Sequence, residues 1–158
     1  MCGIAGFVNK DKRAADRGVL EAMNLAIEHR GPDDDGFYVH ENVGLAMRRL
    51  AIIDLASGQQ PIPNEDKTKW IVFNGEIYNY QELRKGLEER GHKLRTKSDT
   101  EAVVYLYDEY GPECLQLLRG MFAFAIWDKT DNSLFLARDR VGKKPVLYSH
   151  QANGDLIF

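Results

Sequence analysis

Apolar residues fall into short runs separated by turn residues, and their spacing shifts between strand and helix periods. Gly3 to Val8 is small and apolar throughout and predicts a buried strand. Between Asp16 and His29, the residues Leu20, Met23, Ala26 and Ile27 recur at helical spacing, and Gly31-Pro32 stops that helix. Gly36 to His40 and Val43 to Ile53 read as strands joined tightly at Glu41-Asn42. Asp54 to Lys69 holds two prolines, a Ser-Gly pair and many polar groups, so it predicts a long loop of the kind that carries function in compact domains. Trp70 to Phe73 is a short apolar strand that runs into Asn74-Gly75, a turn signal.

Two helix starts have favourable local chemistry. Asn79 with Glu82 matches a capping box for a helix Tyr80 to Arg90 that Gly91 ends. Ser98 with Glu101 matches one for a helix Asp99 to Tyr110 that Gly111-Pro112 ends. Gly120 to Asp128 and Leu134 to Arg138 are apolar strands joined by a turn at Lys129 to Ser133, and Val146 to Ser149 with Asp155 to Phe158 read as a hairpin around Asn153-Gly154. Hairpin-linked strands with about three interposed helices imply antiparallel sheets with helices outside, an α+β rather than a wound βαβ plan. The last strand runs to the final residue, so the domain is expected to continue past Phe158.

Composition narrows the class. The 158 residues suffice for one domain with a real core, and 44% hydrophobic with 28% charged residues fits a globular chain. A net charge of −3 and no basic block leave no electrostatic footprint for nucleic acid. No apolar run is long enough to span a bilayer, and the N-terminus lacks a signal-peptide layout, so no membrane partner is expected. Two cysteines make no disulfide framework, which points to the cytoplasm. No Cys/His spacing resembles a metal site, and no glycine-rich loop suits a nucleotide phosphate.

Three groups of residues could carry chemistry. Cys2 follows the initiator, so removal of Met1 gives it a free α-amine, whose reference pKa of about 7.7–8.0 lies near that of a thiol. Such an amine can serve as a built-in base for the sulfur. From position alone, a compact hydrophobe opening a strand explains Cys2 better. The Asn74 side-chain amide and the Gly75 backbone N–H could aim two donors at one oxyanion, or form only a turn. Arg49, among apolar residues, requires an anionic partner. Asp99, in a first helical turn, suits either the helix dipole or a ligand ammonium, as does Glu76 the latter. His29 at a helix exit could be an imidazole catalyst, but a structural loop role fits better. Cys114 and the tyrosines Tyr78, Tyr80, Tyr105 and Tyr107 read as packing, and Arg138-Asp139-Arg140 as structural ion pairs.

The order of these segments carries a resemblance that none carries alone. Met1-Cys2-Gly3-Ile4-Ala5-Gly6-Phe7, His29 to Asp34, Arg48 to Asp54, Gln60-Pro61, Asn74 to Asn79, Ser98 to Glu101 and Gly120 to Ala125 together resemble the glutaminase domain of glutamine-dependent asparagine synthetases. The resemblance covers essentially the whole chain. It implies a four-layer αββα sandwich of two antiparallel sheets between helix layers, as in N-terminal-nucleophile hydrolases. It implies Cys2 as nucleophile, Asn74 and Gly75 as oxyanion hole, Arg49 for the glutamine carboxylate, Glu76 and Asp99 for its amino end, and backbone near Ile52 and Ile53 as pocket wall. Relatives in sugar-phosphate and purine pathways tend to have His where Phe73 stands here, which favours the asparagine-synthetase branch. Leu147 replaces a tyrosine common in the family, with only a packing effect expected. The partners implied are free L-glutamine, a C-terminal ATP-dependent synthetase domain absent from this chain, and a homodimer as an admissible assembly. No cofactor or metal is implied in this domain; ATP and Mg would serve only the synthetase half. The rival readings are ammonia supply to another acceptor, such as one in surface-polysaccharide synthesis, and a non-catalytic glutamine-binding scaffold.

Overall fold

A computed structural model describes residues 2–50 and 58–158. The first sheet contains β1 (Gly3–Val8), β2 (Asp34–His40), β3 (Val43–Arg49) and, from the C-terminal hairpin, β8 (Ser149–His150) and β9 (Leu156–Ile157). Its order is β2-β3-β1-β9-β8. The second sheet contains β4 (Ile62–Pro63), β5 (Lys69–Ile77), β6 (Gly120–Asp128) and β7 (Ser133–Arg138), in that spatial order. Every strand pair is antiparallel, as the hairpin-rich sequence implies. Helix α1 (Arg17–Ala26) packs on β1 and β3, and α3 (Asp99–Tyr110) packs on β5 with α2 (Tyr80–Glu89) beside it. The result is the expected sandwich, two sheets between helix layers.

Strand alternation builds both interfaces at once. On β6, Phe122, Phe124 and Ile126 face α3, whereas Ala125 and Trp127 face the first sheet. On β5, Ile71, Phe73 and Ile77 face the helix, and Val72 faces Leu45 and Met47 of β3. Each such fully buried aliphatic side chain contributes roughly 1.5–3 kcal/mol. The same alternation turns Asn74 and Glu76 toward the first sheet, where Cys2 lies at the mouth of β1. The partner of Asn74 across β6 is the small Ala123, which leaves room for its amide.

Several local expectations need correction. Asn74-Gly75 is no turn: β5 runs on through Ile77, paired with β6 along its whole length. A side chain at Gly75 would collide with the Met121 carbonyl, so close strand approach explains the glycine. The first helix ends at Ala26 and gives way to a 3-10 turn at Glu28–Arg30. The stretch read as a loop up to Lys69 contains β4, and Lys69 itself opens β5. Residues Val146 to Tyr148 are not strand; the hairpin begins at Ser149.

The two capping boxes also fail in part. Asn79 makes no cap bond, because its amide donates to the Leu117 carbonyl (3.0 Å) and accepts from the Arg119 N–H (3.0 Å). Ser98 does cap α3 by accepting from the Thr100 N–H (3.1 Å). Glu101, fully buried, instead reaches back to the N–H groups of Arg95 (2.8 Å) and Thr96 (2.7 Å) and so folds the loop before Asp99. Asp139 forms no arginine pair. It accepts from the backbone N–H groups of Phe122, Val141, Lys143 and Lys144. Burial opposes its ionisation, yet these donors hold the carboxyl below its ordinary range. Tyr78 is 63% exposed and so packs little, and Leu147, at 83%, has little to pack against. Tyr105, Tyr107 and Cys114 are buried as expected.

Candidate active site

Two cavities meet at Cys2 and Asn74. The first, of about 310 Å³, collects Arg49 from the end of β3, Asn74, Gly75 and Glu76 from β5, and Asp99 from the start of α3, beside Cys2. Residues from both sheets and a helix thus share one cavity with Cys2, although Cys2 and Asp99 stand 97 positions apart in the chain. The six described residues singled out as nucleophile, oxyanion hole and amino-acid recognition all line this cavity. Ile52 and Ile53 lie outside the described residues.

The sulfur is half-buried and close to the backbone of the residue after Arg49. The Leu50 N–H donates to Cys2 Sγ at 3.4 Å, and the thiol lies 3.6 Å from the Leu50 carbonyl oxygen. Arg49 is 5% exposed and lines the cavity. Its neighbour Arg48 points to the other face of β3, where it meets Glu28 and Asp35 at 3.7 Å each.

Asp99 is buried, and its carboxylate accepts from the Ile77 N–H at 3.0 Å. Burial raises its pKa above the ordinary aspartate value, and nearby Glu76 adds to the rise, while backbone donors at Ile77 and Thr100 pull the other way. An incoming ammonium would relieve both charges at once. The cavity is thus lined by one cationic side chain, Arg49, and two acidic ones, Asp99 and Glu76.

The cavity also contains residues for which the sequence offered no chemical reading. Gln60 and Lys144 line it, with 9% and 5% exposure. Gln60-Pro61 was only one segment of the resemblance, and Lys144 was assigned no role. Nothing in their local sequence signals burial, since the elements around them come from distant parts of the chain.

The second cavity, of about 450 Å³, lies on the far side of Cys2 and Asn74. Ile4, Met23, Ile27 and Val146 give it an apolar lining, and His29 and Arg30 stand in its wall. His29 is thus near Cys2 in space but on the apolar side. Among the described residues no cluster of His, Cys, Asp or Glu suits a metal ion, and no helix is long and apolar enough to cross a membrane.

A family model described as a glutamine amidotransferase domain matches residues 1–158. The chain belongs to that family. Among curated relatives, glutamine-hydrolysing asparagine synthetase 1 of Bacillus subtilis is 49% identical over 152 residues, which is 94% of this chain and 24% of the relative. The corresponding enzyme 1 of Arabidopsis thaliana is 47% identical over 144 residues, 90% of this chain and 24% of the relative. The chain therefore spans about a quarter of the length of these relatives. A solved B. subtilis glutamine phosphoribosylpyrophosphate amidotransferase superposes with a TM-score of 0.78 at 18% identity, covering 99% of this chain and 41% of that one. That likeness establishes the amidotransferase fold, and the curated relatives place the sequence beside asparagine synthetases.

Proposed function

We propose that this glutamine amidotransferase domain hydrolyses the side-chain amide of L-glutamine through Cys2 and passes the ammonia to a synthetase domain. The observation that carries the reading is the convergence of Cys2, the Asn74-Gly75 donors, Arg49 and the Asp99/Glu76 wall in one cavity. Arg49 takes the α-carboxylate and Asp99 with Glu76 the α-ammonium. These contacts point the side-chain amide at the sulfur.

The chemistry follows from those positions. With Met1 removed, the Cys2 α-amine takes the thiol proton and the sulfur attacks the amide carbon. The negative charge that develops on oxygen is met by the Asn74 amide and the Gly75 N–H. Collapse returns the proton to the departing nitrogen, which leaves as ammonia, and a γ-glutamyl thioester remains. Water, deprotonated by the same amine, attacks the thioester carbon through a second oxyanion and releases glutamate and the free thiol. Ammonia leaves through the apolar cavity on the far side of Cys2 and Asn74.

Asparagine formation from aspartate is the reaction that similarity to asparagine synthetases supports for the whole protein. ATP and Mg would act in the synthetase half, and the work would take place in the cytoplasm. The test is ammonia release from L-glutamine by the processed protein and by Cys2→Ala. Release that vanishes in the variant supports the reading; equal release from both, or none from the wild type, refutes it.

A further inference from the structure

The two-residue strand β4 covers β5 only opposite Trp70 and Ile71. Beyond that point the N–H groups on the outer edge of β5 recur at every second residue, namely Phe73, Gly75 and Ile77. Side chains take the two outer ones. The Phe73 N–H donates to Gln60 Oε1 at 2.6 Å, and the Ile77 N–H donates to Asp99 Oδ2 at 3.0 Å. The Gly75 N–H lies between them and points the same way, into the cavity shared with Cys2.

Gln60 does more than cover an edge. Its amide nitrogen donates to Thr100 Oγ1 at 3.3 Å, next to Asp99 at the start of α3. Its backbone carbonyl rests against Gly36 of β2, where any side chain would clash. One residue thereby touches the first sheet, the second sheet and the helix. A primary amide suits the task because it offers an acceptor and a donor at opposite corners of one rigid plane.

We propose that Gln60 is a positioning residue for the oxyanion hole: its amide fixes β5 at Phe73 and α3 at Thr100, and so sets the direction of the Gly75 N–H toward the oxyanion that forms when Cys2 attacks. The inference rests on the glutaminase reading above. Gln60 touches neither the reacting atoms nor, through its amide, the substrate. It acts through Gly75.

Gln60→Met keeps the length and removes both hydrogen bonds. The expected result is a kcat for glutamine hydrolysis lower by about 10- to 100-fold with KM changed by less than about threefold, since small misplacement of a donor costs that much. Alkylation of Cys2 by iodoacetamide, a displacement at saturated carbon that forms no oxyanion, should keep its rate within about twofold. A general loss of structure would slow both reactions together. Thr100→Val removes only the partner of the amide nitrogen and should give the same pattern at smaller amplitude, which tests the brace if Gln60→Met does not fold. Unchanged kcat in either folded variant, or hydrolysis and alkylation falling in parallel, overturns the proposal. A wild-type protein that releases no ammonia overturns the glutaminase reading itself, and this role with it.

Discussion

The two cysteines show what surroundings do to one functional group. Cys114 is fully buried in the 3-10 turn Gly111–Gln116 that follows α3, in the cluster with Leu118, Val103 and other apolar side chains, and burial pushes its thiol up to about 12. Cys2 is half-buried at the junction of two cavities, with a backbone N–H on its sulfur and charged residues along one wall. The first environment keeps sulfur neutral and inert, as for a buried structural cysteine. The second offers access from a cavity lined by Arg49, Glu76 and Asp99, and after Met1 removal an adjacent amine. Under the proposed mechanism, reactivity in this domain is a property of position in the sandwich and not of the residue type.

The contrast is broken most severely by exchanging which sulfur is lost. Cys2→Ala should lower ammonia release by at least about 10⁴-fold, the scale seen when a covalent nucleophile is removed, with the melting temperature little changed. Cys114→Ala should keep the activity of the folded protein while lowering its melting temperature. Activity that survives the first change, or disappears in a folded second variant, breaks the comparison.

Next comes the oxyanion site. Asn74→Ala should reduce kcat by about 10²–10³-fold, because the charge then meets one donor in place of two. A kcat within about threefold of wild type would remove Asn74 from the role. A smaller effect is expected from Arg49→Ala, which should raise KM for glutamine about 10- to 100-fold with kcat nearly constant, matching the loss of a charge-assisted hydrogen bond. Unchanged saturation by glutamine would take Arg49 out of the site.

The pH dependences separate the two regions further. Asp99 must be ionised to hold an ammonium, and burial raises its pKa, so KM should climb on acidification at a pH above the ordinary aspartate range. Its effect on stability has the opposite sense. With a folded pKa above the unfolded one, the contribution is present at low pH and is lost as pH rises through the folded value. Asp99→Asn should therefore stabilise the protein near neutrality, as read by denaturant midpoint, while weakening glutamine binding. Cys114 behaves likewise at the alkaline end. Its unfolded thiol ionises near 9.0 and its folded one only near about 12, so stability falls between those values. Cys114→Ala should flatten that limb, and an unchanged slope would mean the thiol is not shielded.

Much of this was legible in the sequence because it is local. Apolar runs located β1, β6 and α3, and Ser98 marked the α3 cap that the structure contains. The misreadings share a cause, which is a partner far along the chain. Asn74-Gly75 looks like a turn until β6, more than 40 residues later, pairs with it. Asn79 looks like a cap until the Leu117 and Arg119 backbone claims its amide. Asp139 sits between two arginines, yet four backbone donors bind it instead. Candidate site residues were found as types in a familiar order, and their gathering in one cavity could not be read from spacing. Gln60 escaped chemical notice altogether, since an amide beside a proline carries no signal until Phe73 and Thr100 stand on either side of it.

The most direct test is intact mass spectrometry with peptide mapping after exposure to an electrophilic glutamine analogue. The expected protein has lost Met1 and carries one adduct, on Cys2, with Cys114 unmodified, and excess L-glutamine protects it. A processed, folded protein that takes no adduct, or takes it on Cys114, would contradict Cys2 as the nucleophile.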